Sequence, residues 1–275
     1  MFDYWQVQSE KLLFPEIEWS KPEQKSQAGK ILIVGGGAGN FRSLALAYDT
    51  AHKIGAGQVR VLAPESLRKT LKVEKNTDVT FAPSNASGGF SSEALAELKA
   101  GEAWADLILF IGDTNKNSET AILFEKFLLE TTKPTVLTRD AIDILLNSFG
   151  ELLLNQNLTI IASFAQLQKI FQAVFYPKVL TFSMRLPQLV ENLHKFSLTF
   201  PSQIITFHAE SLIAAKTGTV FSIPANSPVA KGRISPIRIW NGEIPTKIAV
   251  WQMWNSQKTA EAAITGVVSA WFFQP

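Results

Sequence analysis

Short, wholly apolar runs alternate with amphipathic stretches along the first two thirds of the chain. Ile31, Leu32, Ile33 and Val34 are apolar in succession and mostly β-branched, the pattern of a strand buried on both faces. Glycines follow at 35, 36, 37 and 39. Residues 43–54 are then rich in helix formers, with Gly55 where a helix cap belongs. The same alternation predicts strands at 58–63, 78–82, 106–112, 134–138 and 158–162, and helices at 64–71, 91–99, 119–130, 140–146 and 164–175. Strands and helices spaced this way make βαβ units and a mainly parallel sheet, with ligands expected beyond the carboxyl ends of the strands. From residue 179 the texture changes. Short strands at 204–207, 211–215 and 219–223, broken by turns such as Lys216-Thr217-Gly218, predict an antiparallel edge. Two helices, 246–255 and 257–273, close the chain, and Trp251 and Trp254 share a helical face that suits core packing better than a stacking platform. With no repeat or linker, one domain over 1–275 is expected, with residues 1–27 an aromatic-bearing arm packed on it.

Composition narrows the chemistry. A hydrophobic content of 46% in 275 residues supports a sizeable core. The net charge of +2 comes without a long block of either sign, which argues against a nucleic-acid surface driven by counterion release. The absence of cysteine excludes disulfides, thiolate catalysis and Cys-ligated metal, and His52, His194 and His208 have no ligand-like spacing, so no metal site is expected. Residues 1–6 do not read as a secretory signal, and the apolar-leaning stretch 262–273 is well short of the roughly 20 residues of a membrane span. A soluble cytoplasmic protein without a membrane partner is the expectation.

The strand, glycine loop and helix at 31–54 aim backbone N–H groups and a positive helix end at one place, which suits an anion. Gly36, Gly37, Gly39 and Asn40 are therefore candidate contacts for a substrate or dinucleotide; the bland alternative is a tight turn that binds nothing. The loop fails as a dinucleotide fingerprint, because Asn40 stands at the third glycine position and Glu65 lies later than the usual ~20 residues. No Walker Gly-Lys-Ser/Thr and no Gly-x-Ser-x-Gly is present.

Taken in order, several segments resemble the ATP/ADP-dependent NAD(P)H-hydrate dehydratases, ribokinase-like enzymes that repair hydrated nicotinamide cofactors. These are residues 28–39, residues 51–65 with Gly55-Ala56-Gly57, a valine-rich strand and Pro64-Glu65, the strand 105–112, the segment 133–142, and the hairpin 211–218. The resemblance spans roughly residues 28–270 and is strongest in the first half. It implies a ribokinase-like three-layer α/β/α sandwich, a nucleotide or dinucleotide ligand at the carboxyl edge of the sheet, and ATP or ADP, with Mg2+ allowed alongside. It also leaves room for a homo-oligomer.

The departures bear on mechanism. The family's Gly-(Ser/Thr)-Gly-Asp anion hole has its counterpart here in Trp240-Asn241-Gly242-Glu243, so Glu243 takes the place of the catalytic aspartate, Asn241 and Gly242 that of the nucleotide contacts, and Pro245 removes one N–H donor. The substrate loop appears as residues 182–187 without its histidine and glycine, Gly-Pro-Gly becomes Gly112-Asp113-Thr114, and Asp140 keeps one aspartate where Thr138 replaces the other. The lysine–glycine pair that opens the hairpin becomes Phe207-His208. General acid–base chemistry needs a carboxylate within hydrogen-bond reach of the moving proton, so these losses favour a fold that persists while catalysis is weakened or gone.

Each candidate has a plainer reading. Glu243 suits a helix N-terminus through the dipole alone, Asp140 suits a helix cap as well as a substrate ligand, and Asp113 either holds a ligand hydroxyl or caps its loop. His208 reads as a packed or surface residue, and Arg233 and Arg238 as rim ion pairs before phosphate contacts. Two functions stay open: a divergent NAD(P)H-hydrate dehydratase, and a non-catalytic relative that binds a nucleotide or a protein partner.

Overall fold

The structure, a computed structural model, describes residues 2–71, 78–230 and 234–269. The apolar run at 31–34 is fully buried inside β2 (Lys30–Gly35), with β-neighbours on both sides. Ahead of it lie β1 (Trp5–Val7) and α1 (Pro15–Trp19). After it come α2 (Arg42–Ile54), β3 (Gln58–Pro64), β4 (Asp78–Ala82), α3 (Leu95–Trp104), β5 (Leu107–Gly112), α4 (Ser118–Glu130), β6 (Thr135–Thr138), α5 (Asp140–Ile144) and α6 (Phe149–Leu152). The chain continues through β7 (Leu158–Ser163), α7 (Phe164–Ala173), α8 (Leu186–Thr199), β8 (Gln203–His208), β9 (Ser211–Lys216), β10 (Thr219–Pro224), α9 (Pro236–Trp240), α10 (Glu243–Trp254) and α11 (Thr259–Val268).

Among the described residues ten strands join one sheet in the order β1-β10-β9-β8-β7-β6-β5-β2-β3-β4. From β4 to β8 every neighbouring pair is parallel; β9 runs antiparallel to β8 and β10, and β1 is parallel to β10. This is the predicted α/β sheet with an antiparallel edge. Alternation along β2 sends Leu32 and Val34 to one face and Ile31 and Ile33 to the other. The first face is covered by α3 to α8, with Phe124, Phe127, Phe149, Phe171 and Phe196 fully buried or nearly so. The second is covered by α1, α2, α9, α10 and α11. A sheet buried on both faces explains why its strands read as continuous apolar runs.

Local chemistry sets several boundaries. Gly55 ends α2 in a left-handed conformation (φ 106°), and its N–H bonds Ala51 O and His52 O at 3.2 and 3.1 Å. Asn117 caps α4 by accepting the N–H groups of Glu119 and Thr120. Ser163 and Gln166 form a reciprocal capping box on α7. Trp251 is buried, with its ring edge-on to Trp254 at 5.3 Å between centroids, as core packing requires.

Four expectations change. The helix predicted at 64–71 is only a single 3-10 turn, Glu65–Leu67, because Pro64 still belongs to β3 and pairs with Ala82. Helix α8 was not anticipated, and Leu186 and Pro187, read as part of a substrate loop, form its first turn. The N-terminal arm adds a strand: β1 pairs with β10, and the Trp5 indole donates to Ser222 Oγ at 2.8 Å. Helix α11 ends at Val268; residues 270–273 of the predicted closing helix lie outside the described residues, as does Arg233. Among the described residues no helix is long and apolar enough to cross a membrane.

Candidate functional site

At the carboxyl edge, β2, β5 and β6 end side by side, and the turns that follow them are tied together. Gly112 ends β5 with φ 88°, and a side chain there would collide with Asp140 Oδ1. That close approach lets Asp140 accept the Asp113 N–H at 2.8 Å and the Thr114 N–H at 3.0 Å. Asp140 therefore caps the β5 loop rather than its own helix, whose N-cap position belongs to Arg139. Asp113, itself buried, accepts the Ser43 N–H in the first turn of α2 at 2.9 Å, and its other oxygen pairs with Arg139 Nη2.

The glycine loop is packed against its own surroundings. Gly36 N–H bonds Gly112 O at 2.9 Å, Gly37 and Asn40 exchange backbone bonds at 2.9 Å, and Ala38 N–H bonds Gly88 O at 3.0 Å. A Cβ on Gly37 would meet the Asn115 amide and Asp113 O at 2.9 Å, while Gly39 (φ 79°) has open space. The positive end of α2 thus faces an anion that the chain supplies itself, the Asp113 carboxylate.

Arg139 joins this cluster to the opposite wall. It is 8% exposed, with φ 59° and ψ −141°, a region that residues with a Cβ rarely occupy and that costs on the order of 1–3 kcal/mol. Its side chain binds Asp113 and donates through Nη1 to the Trp240 carbonyl, with the Trp240 ring 5.1 Å from the guanidinium carbon. Its carbonyl accepts the Gln166 amide at 2.7 Å. Arg139 is thereby held from both ends.

Beside it opens a cleft of about 120 Å³, lined by Thr138 and Arg139 at the end of β6, Ile161, Ala162 and Ser163 of β7, Phe207 of β8, Phe164 and Gln166 of α7, and Pro236, Ile239 and Trp240 of α9. That volume approaches the engineered cavity of roughly 150 Å³ that holds a benzene ring. One ring or one phosphate fits inside; Trp240 on its wall is exposed, as is Phe182, which packs on Phe164. His208 packs flat on Phe164 at 4.0 Å and bonds Met184 O at 2.8 Å.

The start of α10 forms the third part. Gly242 (φ 94°) fits where a side chain would strike Ile111, and Asn241 Oδ1 accepts the Glu243 N–H at 3.0 Å. With that donor taken and none on Pro245, this helix start offers an anion fewer N–H groups than a glycine-rich turn would. The Glu243 carboxylate is gripped on both oxygens by Arg238, at 3.0 Å through Nε and by a second bond through Nη2. One turn on, Lys247 is buried, and burial together with the nearby Arg238 pushes its ammonium pKa down to about 8, against the opposing pull of Glu243.

The sequence candidates thus fall into two groups on one edge. Gly36, Gly37, Asn40, Asp113 and Asp140 are linked through backbone and side-chain bonds around β2 and β5. Asn241, Gly242 and Glu243 start α10, and Arg139 bridges the groups through Asp113 and Trp240. The strand ending at 138 puts Arg139 on the edge where a ligand is expected, but the sequence gives it no role and does not mark Gln166, Phe164 or Ile239.

No family model matches the chain, and no curated protein matches it in sequence. Solved structures do match. A ribokinase-like superfamily protein from Enterococcus faecalis superposes with a TM-score of 0.70 at 14% identity, over 98% of this chain and 86% of the other. The fold is ribokinase-like. A hypothetical protein from Streptococcus mutans gives 0.65 at 12% identity, over 96% and 88% of the two chains. The ADP/ATP-dependent NAD(P)H-hydrate dehydratase of Bacillus subtilis, co-crystallised with ATP and Mg2+, gives 0.57 at 11% identity, over 92% and 83%. At these identities the likeness establishes the ribokinase-like fold alone.

Proposed function

We propose that this ribokinase-fold protein binds a nucleotide or dinucleotide at the carboxyl edge of its sheet, as an NAD(P)H-hydrate dehydratase-like protein whose catalysis is weakened or lost. The observation that carries this reading is the state of Glu243. The carboxylate that would act as acid–base group is clamped by Arg238 at the start of α10, so using it as a base would require breaking two charge-assisted bonds. The fold of Bacillus subtilis NAD(P)H-hydrate dehydratase, crystallised with ATP and Mg2+, supports a nucleotide as ligand class. Among the described residues no three acidic or histidine side chains are grouped to cage a metal, so Mg2+ would arrive on the phosphates of ATP or ADP. The same reading places the protein in the cytoplasm, beside the nucleotide pool, and admits a homo-oligomer.

Thermal unfolding against ATP, ADP, NADH and NADPH, alongside a turnover assay, tests it. A ligand at about 100 times its Kd should add roughly 2.7 kcal/mol of stability. Hydrated NADH with ATP or ADP should regenerate NADH absorbance no faster than a Glu243→Ala control. Turnover well above that control removes the weakened-catalysis reading; an unfolding curve that none of the four ligands moves removes the nucleotide.

A further inference from the structure

Among the residues that line the cleft, Arg139 alone carries a buried side-chain donor, Nε, with no hydrogen-bond partner among the described residues. Its polar neighbours are satisfied internally. Thr138 donates to Ile161 O at 3.0 Å, Ser163 is bonded to Gln166, and the Gln166 amide donates to Arg139 O and to Asp143 at 2.7 and 2.9 Å. Nε lies on the Asp113 side of the guanidinium, with Asp140 Oδ1 at 4.0 Å, beyond hydrogen-bond reach, so the donor beside the cleft wall at Trp240 is Nη1. Backbone geometry adds a second observation. With φ 59° the position favours glycine, yet it holds the bulkiest cation, and such strain persists where the surroundings enforce it, commonly at ligand sites.

We infer that Arg139 is the specificity-determining residue of the cleft and selects ligands that carry a phosphate group. This rests on the nucleotide reading above and names the part of the ligand that enters. The guanidinium is a planar fork of donors matched to oxyanions. Asp113 fixes its plane from one side, and Asp113 is itself supported by the Ser43 N–H. The Trp240 carbonyl on the cleft side is a neutral acceptor. An entering phosphate takes the place of that neutral partner on Nη1 and leaves the Asp113 pair in place. The walls formed by Ile161, Phe164, Phe207 and Ile239 exclude water and strengthen the contact.

Calorimetric titration of wild type, Arg139→Gly and Arg139→Lys with inorganic pyrophosphate, AMP and adenosine is the test. Wild type should bind AMP about tenfold or more tightly than adenosine, since one charge-assisted contact in a dry site is worth at least that factor. In Arg139→Gly the two affinities should converge to within about twofold, with adenosine unchanged, and Arg139→Lys should fall between, keeping charge without the fork. Circular dichroism establishes that the variants are folded; should Arg139→Gly not fold, the reduced AMP preference of Arg139→Lys decides. An unchanged AMP preference in a folded variant, or equal binding of AMP and adenosine by wild type, overturns the inference and leaves the nucleotide reading standing. Arg139-dependent binding of pyrophosphate with neither AMP nor adenosine bound sustains the inference and removes that reading. No binding of any of the three removes both.

Discussion

Replacing Asp113 by alanine is expected to destabilise the protein by about 3–5 kcal/mol, a large share of the roughly 5–15 kcal/mol that holds a folded domain together. The size comes from what is left behind. The side chains of Arg139 and Asp113 are 9% and 1% exposed, so removing the carboxylate strands a guanidinium in a site that water reaches poorly. Asp140, the next carboxylate, stands 4.0 Å away and is already bonded to two backbone N–H groups. The Ser43 N–H at the start of α2 also loses its acceptor. Asp113→Asn keeps that acceptor and tolerates the left-handed φ of 62°, so it should lose less than alanine does. In urea denaturation at pH 7, an Asp113→Ala/Arg139→Met double variant should be more stable than Asp113→Ala alone. Losses that simply add would show that the pair is not coupled.

Gly35→Ala should cost about 3 kcal/mol, the upper end for overpacking. Gly35 faces Gly112 where the β2–β5 register shifts, and its new Cβ would press on the Gly112 carbonyl oxygen and reach 2.7 Å from Ile111 Cγ2. The Gly112 oxygen cannot retreat freely, because it accepts the Gly36 N–H at 2.9 Å. The substitution therefore separates β2 from β5 where the site begins. Gly150 in α6 has nothing within 4 Å of where a Cβ would stand, and Gly150→Ala should be neutral or stabilising by up to about 1 kcal/mol. Chemical denaturation of the two variants side by side checks the contrast; equal midpoints would show that the β2–β5 junction has room to spare.

What was legible in the chain follows from how local each signal is. Residues 31–34 announce a doubly buried strand because four consecutive apolar residues carry the pattern themselves, and Gly55 announces a helix end because its left-handed φ is a property of one residue. Asp78–Ala82 is a strand with the predicted bounds. Helix α8 is hard to read although Leu189, Val190, Leu193 and Phe196 are spaced for one buried face, because the segment 182–187 that leads into it resembles a loop. Strand β1 is three residues long and pairs with residues more than two hundred positions away, which no local window can register.

At the site, residue identity and residue role separate. The glycines at 36 and 37 mark a tight turn, but whether their N–H groups face a ligand depends on Gly112 O and on the Asn40 exchange. Glu243 reads as a carboxylate at a helix start; its clamp, Arg238, lies five residues upstream on a separate helix. The strand ending at 138 puts Arg139 on the carboxyl edge, but its role does not show in the sequence, because that role lies in Asp113 and in a backbone carbonyl at Trp240.

A crystal structure of the protein with ADP bound addresses the central claim most directly. The account predicts ADP at the cleft between the ends of β6, β7 and β8 and helix α9, with a phosphate oxygen within hydrogen-bond distance of Arg139 and Glu243 still paired with Arg238. ADP bound elsewhere on the molecule, or a Glu243 released from Arg238 and turned toward the ligand, would contradict it.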